Sequence, residues 1–69
     1  MLIGTGNRIE MLKFIEEVKR DIKKLNLNLE VRLENVKIEK YGELIYSKFY
    51  EVYVDGNKED IQTLIDNNI

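Results

Sequence analysis

The chain has 69 residues, of which 43% are hydrophobic and 35% charged, and its formal net charge is −2. This length predicts a single domain, residues 1–69, with a modest core, because a domain near this size buries only about 60% of the surface that its unfolded chain exposes. The slightly acidic balance argues against a dedicated duplex-DNA binder, which usually needs a basic face.

Cysteine and histidine are both absent from the sequence. Their absence excludes disulfides, thiolate metal sites and thiol nucleophiles, and it removes the commonest general base. We therefore expect no enzyme activity, no cofactor and no metal site. No apolar run is long enough to span a membrane and no signal peptide is visible, so we expect a cytoplasmic protein without membrane contact.

The first element is a short apolar strand at residues 2–3, after which Gly4-Thr5-Gly6 predicts a tight turn. Asn7 is typical of a helix N-cap, and Glu10 stands three residues later, as in a capping box. The apolar spacing that follows predicts a helix over residues 8–25.

One face of this helix should carry its apolar side chains, because they recur at spacings of three and four. The residues of that face are Ile9, Leu12, Ile15, Val18, Ile22 and Leu25, and Met11 and Phe14 widen it. We expect Ile15 and Ile22 to be nearly fully buried.

The middle of the chain is predicted to form two strands and a turn. Alternation over residues 27–33 predicts a half-buried strand, and the change of phase at residues 34–35 predicts a bulge or a break. Residues 40–43 predict a turn, and a short helix between the second and third strands is compatible with the pattern. Residues 49–54 are rich in aromatic and β-branched side chains and predict a strand.

Asn57 and Asp60 predict the start of a last short helix, which should end at residues 67–68. Its inward side chains are expected to be Ile61, Leu64 and Ile65. The resulting order predicts a β-α-β-β-α two-layer sandwich of the α/β or α+β class. The strand-helix-strand unit favours a parallel pair with a right-handed crossover.

Leu2-Ile3-Gly4-Thr5-Gly6, followed at once by a helix, resembles the opening of small archaeal thioredoxin- and glutaredoxin-like proteins. In that family Cys-x-x-Cys stands at the helix start, where this chain has Asn7 and Glu10. Residues 40–42 and 52–56 are similar to the family's Tyr-Gly segment and to its strand ending in Asn/Asp-Gly. The chain lacks both cysteines and the family's cis-proline. The resemblance implies a truncated thioredoxin-like fold without dithiol chemistry; a different β-α-β-β-α sandwich, such as a split ferredoxin-like fragment, is the alternative.

The leading functional hypothesis is a non-catalytic interaction module, either a homodimer or a domain with a protein partner. Residues 44–54 carry more aromatic surface than so small a core needs, and aromatic residues are favoured interface anchors. We expect Val52 and Val54 to face the helices, which leaves Phe49 and Tyr53 on an open sheet face as an apolar patch. The predicted interface residues are Tyr46, Phe49, Tyr50 and Tyr53.

The alternative hypothesis is a single-stranded nucleic-acid or anion-binding domain. Tyr46, Lys48 and Tyr50 alternate, so on a strand they would share one face on which bases can stack. Backbone amides at the start of the first helix are also a potential anion site. The residues of this candidate anion turn are Gly4, Thr5, Gly6, Asn7 and Arg8.

Overall fold

The computed structural model describes residues 1–67 of the chain. Its elements are β1 (Leu2–Asn7), α1 (Arg8–Lys24), β2 (Leu29–Lys40), β3 (Glu43–Gly56) and α2 (Lys58–Asn67). The predicted β-α-β-β-α order in two layers is therefore confirmed. Asn68, at which the last helix was also predicted to end, lies outside the described residues. Within residues 1–67, no helix combines the length and the apolar character that crossing a membrane requires.

The sheet has the strand order β1-β3-β2, and both neighbouring pairs are antiparallel. The predicted parallel pair of β1 and β2 is wrong, because β3 lies between these two strands although they run in the same direction. A two-residue connection joins β2 to β3. The two strands therefore pair as a hairpin, and β3 takes the position beside β2. β1 is left to pair with the other edge of β3. The result is a split β-α-β unit.

The turn between β2 and β3 is formed by Tyr41 and Gly42, whose φ angles are 53° and 79°. Positive φ at both central residues is the type I′ pattern, whose twist matches that of the two flanking strands. The turn predicted at residues 40–43 is confirmed, and no helix separates the strands. β3 begins at Glu43 rather than near Phe49, because its pairing with β2 continues up to the turn.

Helix α1 ends in a Schellman motif centred on Asn26, which has a φ of 54°. The amide of Leu27 donates to the carbonyl of Ile22 at 2.9 Å, and the amide of Asn26 donates to the carbonyl of Lys23 at 3.2 Å. These bonds satisfy carbonyls that a helix end leaves unpaired. They also turn Leu27 back onto the core, which Ile22 contacts as well.

Both helices pack on the same face of the sheet, and the core lies between the two layers. Its centre is formed by Val18 of α1, Val54 of β3 and Leu64 of α2, none of them more than 2% exposed. Val52 is fully buried as well, so the prediction that Val52 and Val54 face the helices is confirmed. The partly buried side chains around this centre are Ile3, Phe14, Ile22, Leu27, Leu29 and Val31.

The buried stripe of α1 agrees with the predicted face only in part. Met11 and Val18 are the buried residues of this helix, whereas Ile15 and Ile22 are only half-buried and Ile9 is 69% exposed. The prediction of near-complete burial for Ile15 and Ile22 is therefore wrong. A sheet of three strands covers only a narrow stripe of one helix, and α1 carries more apolar side chains than that stripe can hold.

Candidate functional site

The Gly4-Thr5-Gly6 segment is part of strand β1, so the predicted tight turn at this place is wrong. Gly4 pairs with Val52, and Gly6 pairs with Tyr50. The glycines provide space for the helix: a Cβ atom added at Gly4 would lie 2.7 Å from the ring of Phe14. The absence of a side chain lets strand and helix approach closely here.

Asn7 caps helix α1, as predicted. Its Oδ1 accepts a hydrogen bond from the amide of Glu10 at 2.8 Å, and its Nδ2 donates to the Glu10 carboxylate. A carboxylate therefore stands at the helix start, where it would repel a second negative group. Anion binding by residues 4–8 stays a prediction, and this geometry weakens it.

A shallow groove of about 410 Å³ lies beside this helix start. Its lining residues are Asn7, Arg8, Ile9, Ser47, Lys48 and Tyr50. Arg8 and Lys48 come from different elements, and within residues 1–67 neither forms an ion pair. The groove thus combines two cations with the half-buried ring of Tyr50.

An irregularity of β3 bounds this groove. Asn35 pairs with Tyr50 and Lys37 pairs with Tyr46, so β3 contains two more residues than β2 over this interval. Nδ2 of Asn35 donates to the carbonyls of Ser47 and Phe49, at 3.1 and 2.9 Å. The bulge or break predicted at residues 34–35 is confirmed, because the regular pairing with β3 is interrupted after Asn35. The Asn35 side chain hydrogen-bonds two carbonyl groups of the bulge.

Beyond this bulge the hairpin extends away from both helices, and we call residues 36–46 the hairpin arm. Every residue from 37 to 46 is exposed, and the longest dimension of the molecule is 45 Å. Leu44 is 72% exposed and Tyr46 is 68% exposed. The other large apolar side chains exposed on the arm are Ile38, Tyr41 and Ile45.

Apolar side chains occupy both faces of the hairpin arm. Cross-strand partners share a face, so Ile38 and Ile45 lie together on one side. On the opposite side Glu39 pairs with Leu44, and the ammonium group of Lys37 lies 5.2 Å from the centre of the Tyr46 ring. Because the ring and its lysine are both exposed, this cation–π contact leaves most of the ring accessible to a partner.

The four aromatic residues predicted as an interface differ in their exposure. Tyr46 and Phe49 are exposed, whereas Tyr50 and Tyr53 are half-buried. The bulge places Tyr46 on the arm, while Lys48 and Tyr50 line the groove, so the predicted continuous stripe of these three residues is interrupted.

The open face of the sheet around Tyr53 is ionic. Of the two residues expected to form an apolar patch there, Phe49 is 61% exposed, whereas Tyr53 is half-buried. The Arg32 guanidinium lies 4.6 Å from the centre of the Tyr53 ring, donates to Asp55 at 2.9 Å and pairs with Glu34. The Tyr53 hydroxyl donates to Glu51 at 3.2 Å. Arg32 thus covers the ring that was expected to be exposed.

These contacts shift the pKa values of Arg32, Tyr53 and Asp55. The hydrogen bond from Arg32 holds the pKa of Asp55 below its usual value and raises the pKa of Arg32 itself. Partial desolvation, followed by the hydrogen bond to Glu51, raises the pKa of Tyr53. These groups all lie at the surface and keep their ordinary charges near neutral pH, so this face presents a fixed pattern of paired charges.

Local sequence patterns did not single out Ile38, Leu44 and Ile45 as exposed arm residues, and they did not indicate the contacts of Arg32. The turn predicted at residues 40–43 could have indicated the arm. A two-residue hairpin turn fixes which residues of the two strands face each other.

Among residues 1–67 there is no group of three or more acidic, histidine or cysteine side chains placed to hold a metal ion. A scan against protein-family models, a search of curated proteins and a search of solved structures each returned no significant match. The thioredoxin-like resemblance therefore stays a prediction from short motifs, and the residues at its two cysteine positions, Asn7 and Glu10, form the helix cap.

Proposed function

We propose that this domain is a non-catalytic self-association module, a cytoplasmic homodimer whose contact surface is the hairpin arm. The observation that carries the proposal is the exposure of apolar side chains on both faces of the arm, beyond the reach of either helix. Contiguous exposed apolar surface usually marks an interaction site. The lack of cysteine supports the cytoplasmic setting, because small secreted domains are commonly rich in disulfides.

Stability gives the arm a second reason to have a partner. An isolated two-stranded hairpin is only marginally stable in water, and neither helix covers residues 37–46. Burying exposed apolar side chains of the arm, such as Ile38 and Ile45, against a second molecule would remove apolar area from water.

Sedimentation at tens of micromolar should give a mass above that of the monomer. A triple variant, Ile38→Thr/Leu44→Thr/Tyr46→Thr, replaces apolar side chains by threonine, a β-branched strand former, and it should sediment as a monomer. Ile9→Thr, which alters an exposed apolar residue on α1, is the control and should associate like the unaltered protein. A monomeric unaltered protein, or equal association by the triple variant, would contradict the proposal.

The alternative, a single-stranded nucleic-acid or anion-binding domain, is favoured by one observation. Arg8, Lys48 and Tyr50 line the same groove, which is the combination of charge and ring that single-stranded nucleic acids contact. The net charge of −2 opposes it.

Titration with a labelled oligouridine at low salt tests this alternative. Two phosphate contacts should make the logarithm of the binding constant fall with the logarithm of salt concentration with a slope of about −1.4. Lys48→Glu should abolish binding, whereas Lys13→Glu, on the exposed side of α1, should not. The alternative fails if the oligonucleotide does not bind or if the two variants behave alike.

A further inference from the structure

The outer edge of β2 is unpaired, because β3 is its only neighbour in the described part of the sheet. A two-residue turn is closed by backbone hydrogen bonds between its flanking residues, here Lys40 and Glu43. Backbone groups of successive residues point alternately to the two edges of a strand. Lys40 and Ile38 therefore direct theirs to β3, and Lys37 and Glu39 direct theirs outward.

This outward edge is complementary to itself. When two copies of β2 pair antiparallel about a two-fold axis at Ile38, Lys37 of each copy lies opposite Glu39 of the other. In both opposed pairs the backbone N–H and C=O groups point to the open edge, where they can form hydrogen bonds with the other copy. Within residues 1–67 neither Lys37 nor Glu39 forms an ion pair, and the cation–π contact of Lys37 with Tyr46 leaves its ammonium group without a carboxylate partner.

Neighbouring registers are less favourable. An axis at Lys37 would place two lysines opposite each other, and an axis at Glu39 would place two glutamates opposite each other. Like charges directly opposite destabilise a strand pair, whereas opposite charges stabilise it. Charge thus selects the register centred on Ile38 over the adjacent ones.

We propose, on the basis of the self-association inferred above, that the partner is a second copy of this chain bound edge to edge through β2, with Ile38 at the two-fold axis. The two sheets join into one sheet of six strands, in the order β1-β3-β2-β2-β3-β1. Ile38 and Ile45 of both copies form one apolar cluster on a single face, and residues 36–40 form the new ladder. The pairing removes an exposed edge that would otherwise recruit other strands.

Charge reversal tests this register. Lys37→Glu creates two glutamate pairs across the axis and Glu39→Lys creates two lysine pairs, so each variant alone should weaken dimerisation about tenfold or more. Mixing the two variants should restore a dimer, because each lysine then faces a glutamate. The double variant Lys37→Glu/Glu39→Lys should dimerise like the unaltered protein. Sedimentation velocity gives the populations, with Lys13→Glu as a control for the charge change of Lys37→Glu and Glu17→Lys as a control for that of Glu39→Lys.

The outcomes separate the register from the proposed function. If both single variants associate as strongly as the unaltered protein while the triple arm variant does not, the arm is the interface but this register is wrong. If both single variants dissociate and their mixture stays monomeric, the opposed pairs are likewise refuted. A monomeric unaltered protein overturns the self-association and the register together.

Discussion

Leu64→Ala should lower the free energy of unfolding by about 2–5 kcal/mol. Leu64 is 2% exposed and packs against Val18 and Val54 at the point where both helices meet the sheet. Truncation removes buried methyl groups and leaves a cavity into which the surrounding structure relaxes only partly. A loss of this size is a large share of the stability of a small domain, which is about 5–15 kcal/mol in total.

Leu12→Ala is the matched control, since it is the same change in a helix at a side chain that is 41% exposed. It should cost about 1 kcal/mol or less, because less apolar surface is lost from the folded state and alanine keeps the helix propensity. Urea unfolding followed by circular dichroism, at one fixed protein concentration, gives both values. Equal losses for the two variants would mean that α2 does not complete the core in the way described.

Gly56→Ala should cost about 2–4 kcal/mol, from backbone strain together with overpacking. Gly56 ends β3 with a φ of 157°, which side chains of L-residues rarely tolerate. A Cβ atom there would also lie 2.9 Å from the backbone carbonyl oxygen of Asn28 and against the side chain of Leu29. Backbone cannot yield as a flexible side chain can, so the turn between β3 and α2 would have to move.

Gly42→Ala separates the effect of backbone strain from that of overpacking. Gly42 has a φ of 79°, and nothing lies within 4 Å of an added Cβ atom, so only the conformational cost of about 1–2 kcal/mol applies. Denaturation midpoints with unchanged slopes should rank Gly56→Ala as the more damaging variant. The opposite ranking would refute the close approach of Asn28 to Gly56.

Features set by neighbouring residues could be predicted from the sequence. Asn7 and Glu10 form the predicted cap, and Asn57 caps α2 by accepting from the Asp60 amide at 2.8 Å. These motifs depend on contacts three residues apart, which the sequence displays directly. The tight turn at Tyr41-Gly42 could be located for the same reason.

Strand pairing could not be predicted in the same way. The general preference of strand-helix-strand units for a parallel pair suggested that β1 lies beside β2, but the hairpin at Tyr41-Gly42 places β3 there. Which strands become neighbours depends on competition between distant segments, and residue types alone do not reveal its outcome.

The candidate surface was missed for a related reason. Ile38 and Leu44 have the composition of core residues, and only the positions of the helices determine that they are exposed. Tyr53 was expected to be accessible, but Arg32 lies over its ring from the neighbouring strand. Burial of a strand residue is decided by what packs above it, which a local pattern does not contain.

The position of β1 has a consequence for the speed of folding. The β2–β3 hairpin closes through contacts between near neighbours, whereas β1 joins the central strand through residues such as Met1 and Val54, whose backbones are hydrogen-bonded although they are 53 residues apart. Closing so long a loop loses chain entropy before the new contacts stabilise it. We therefore expect the docking of the first seven residues to limit the folding rate, and β3, the central strand of the finished sheet, to have one unprotected edge until they arrive.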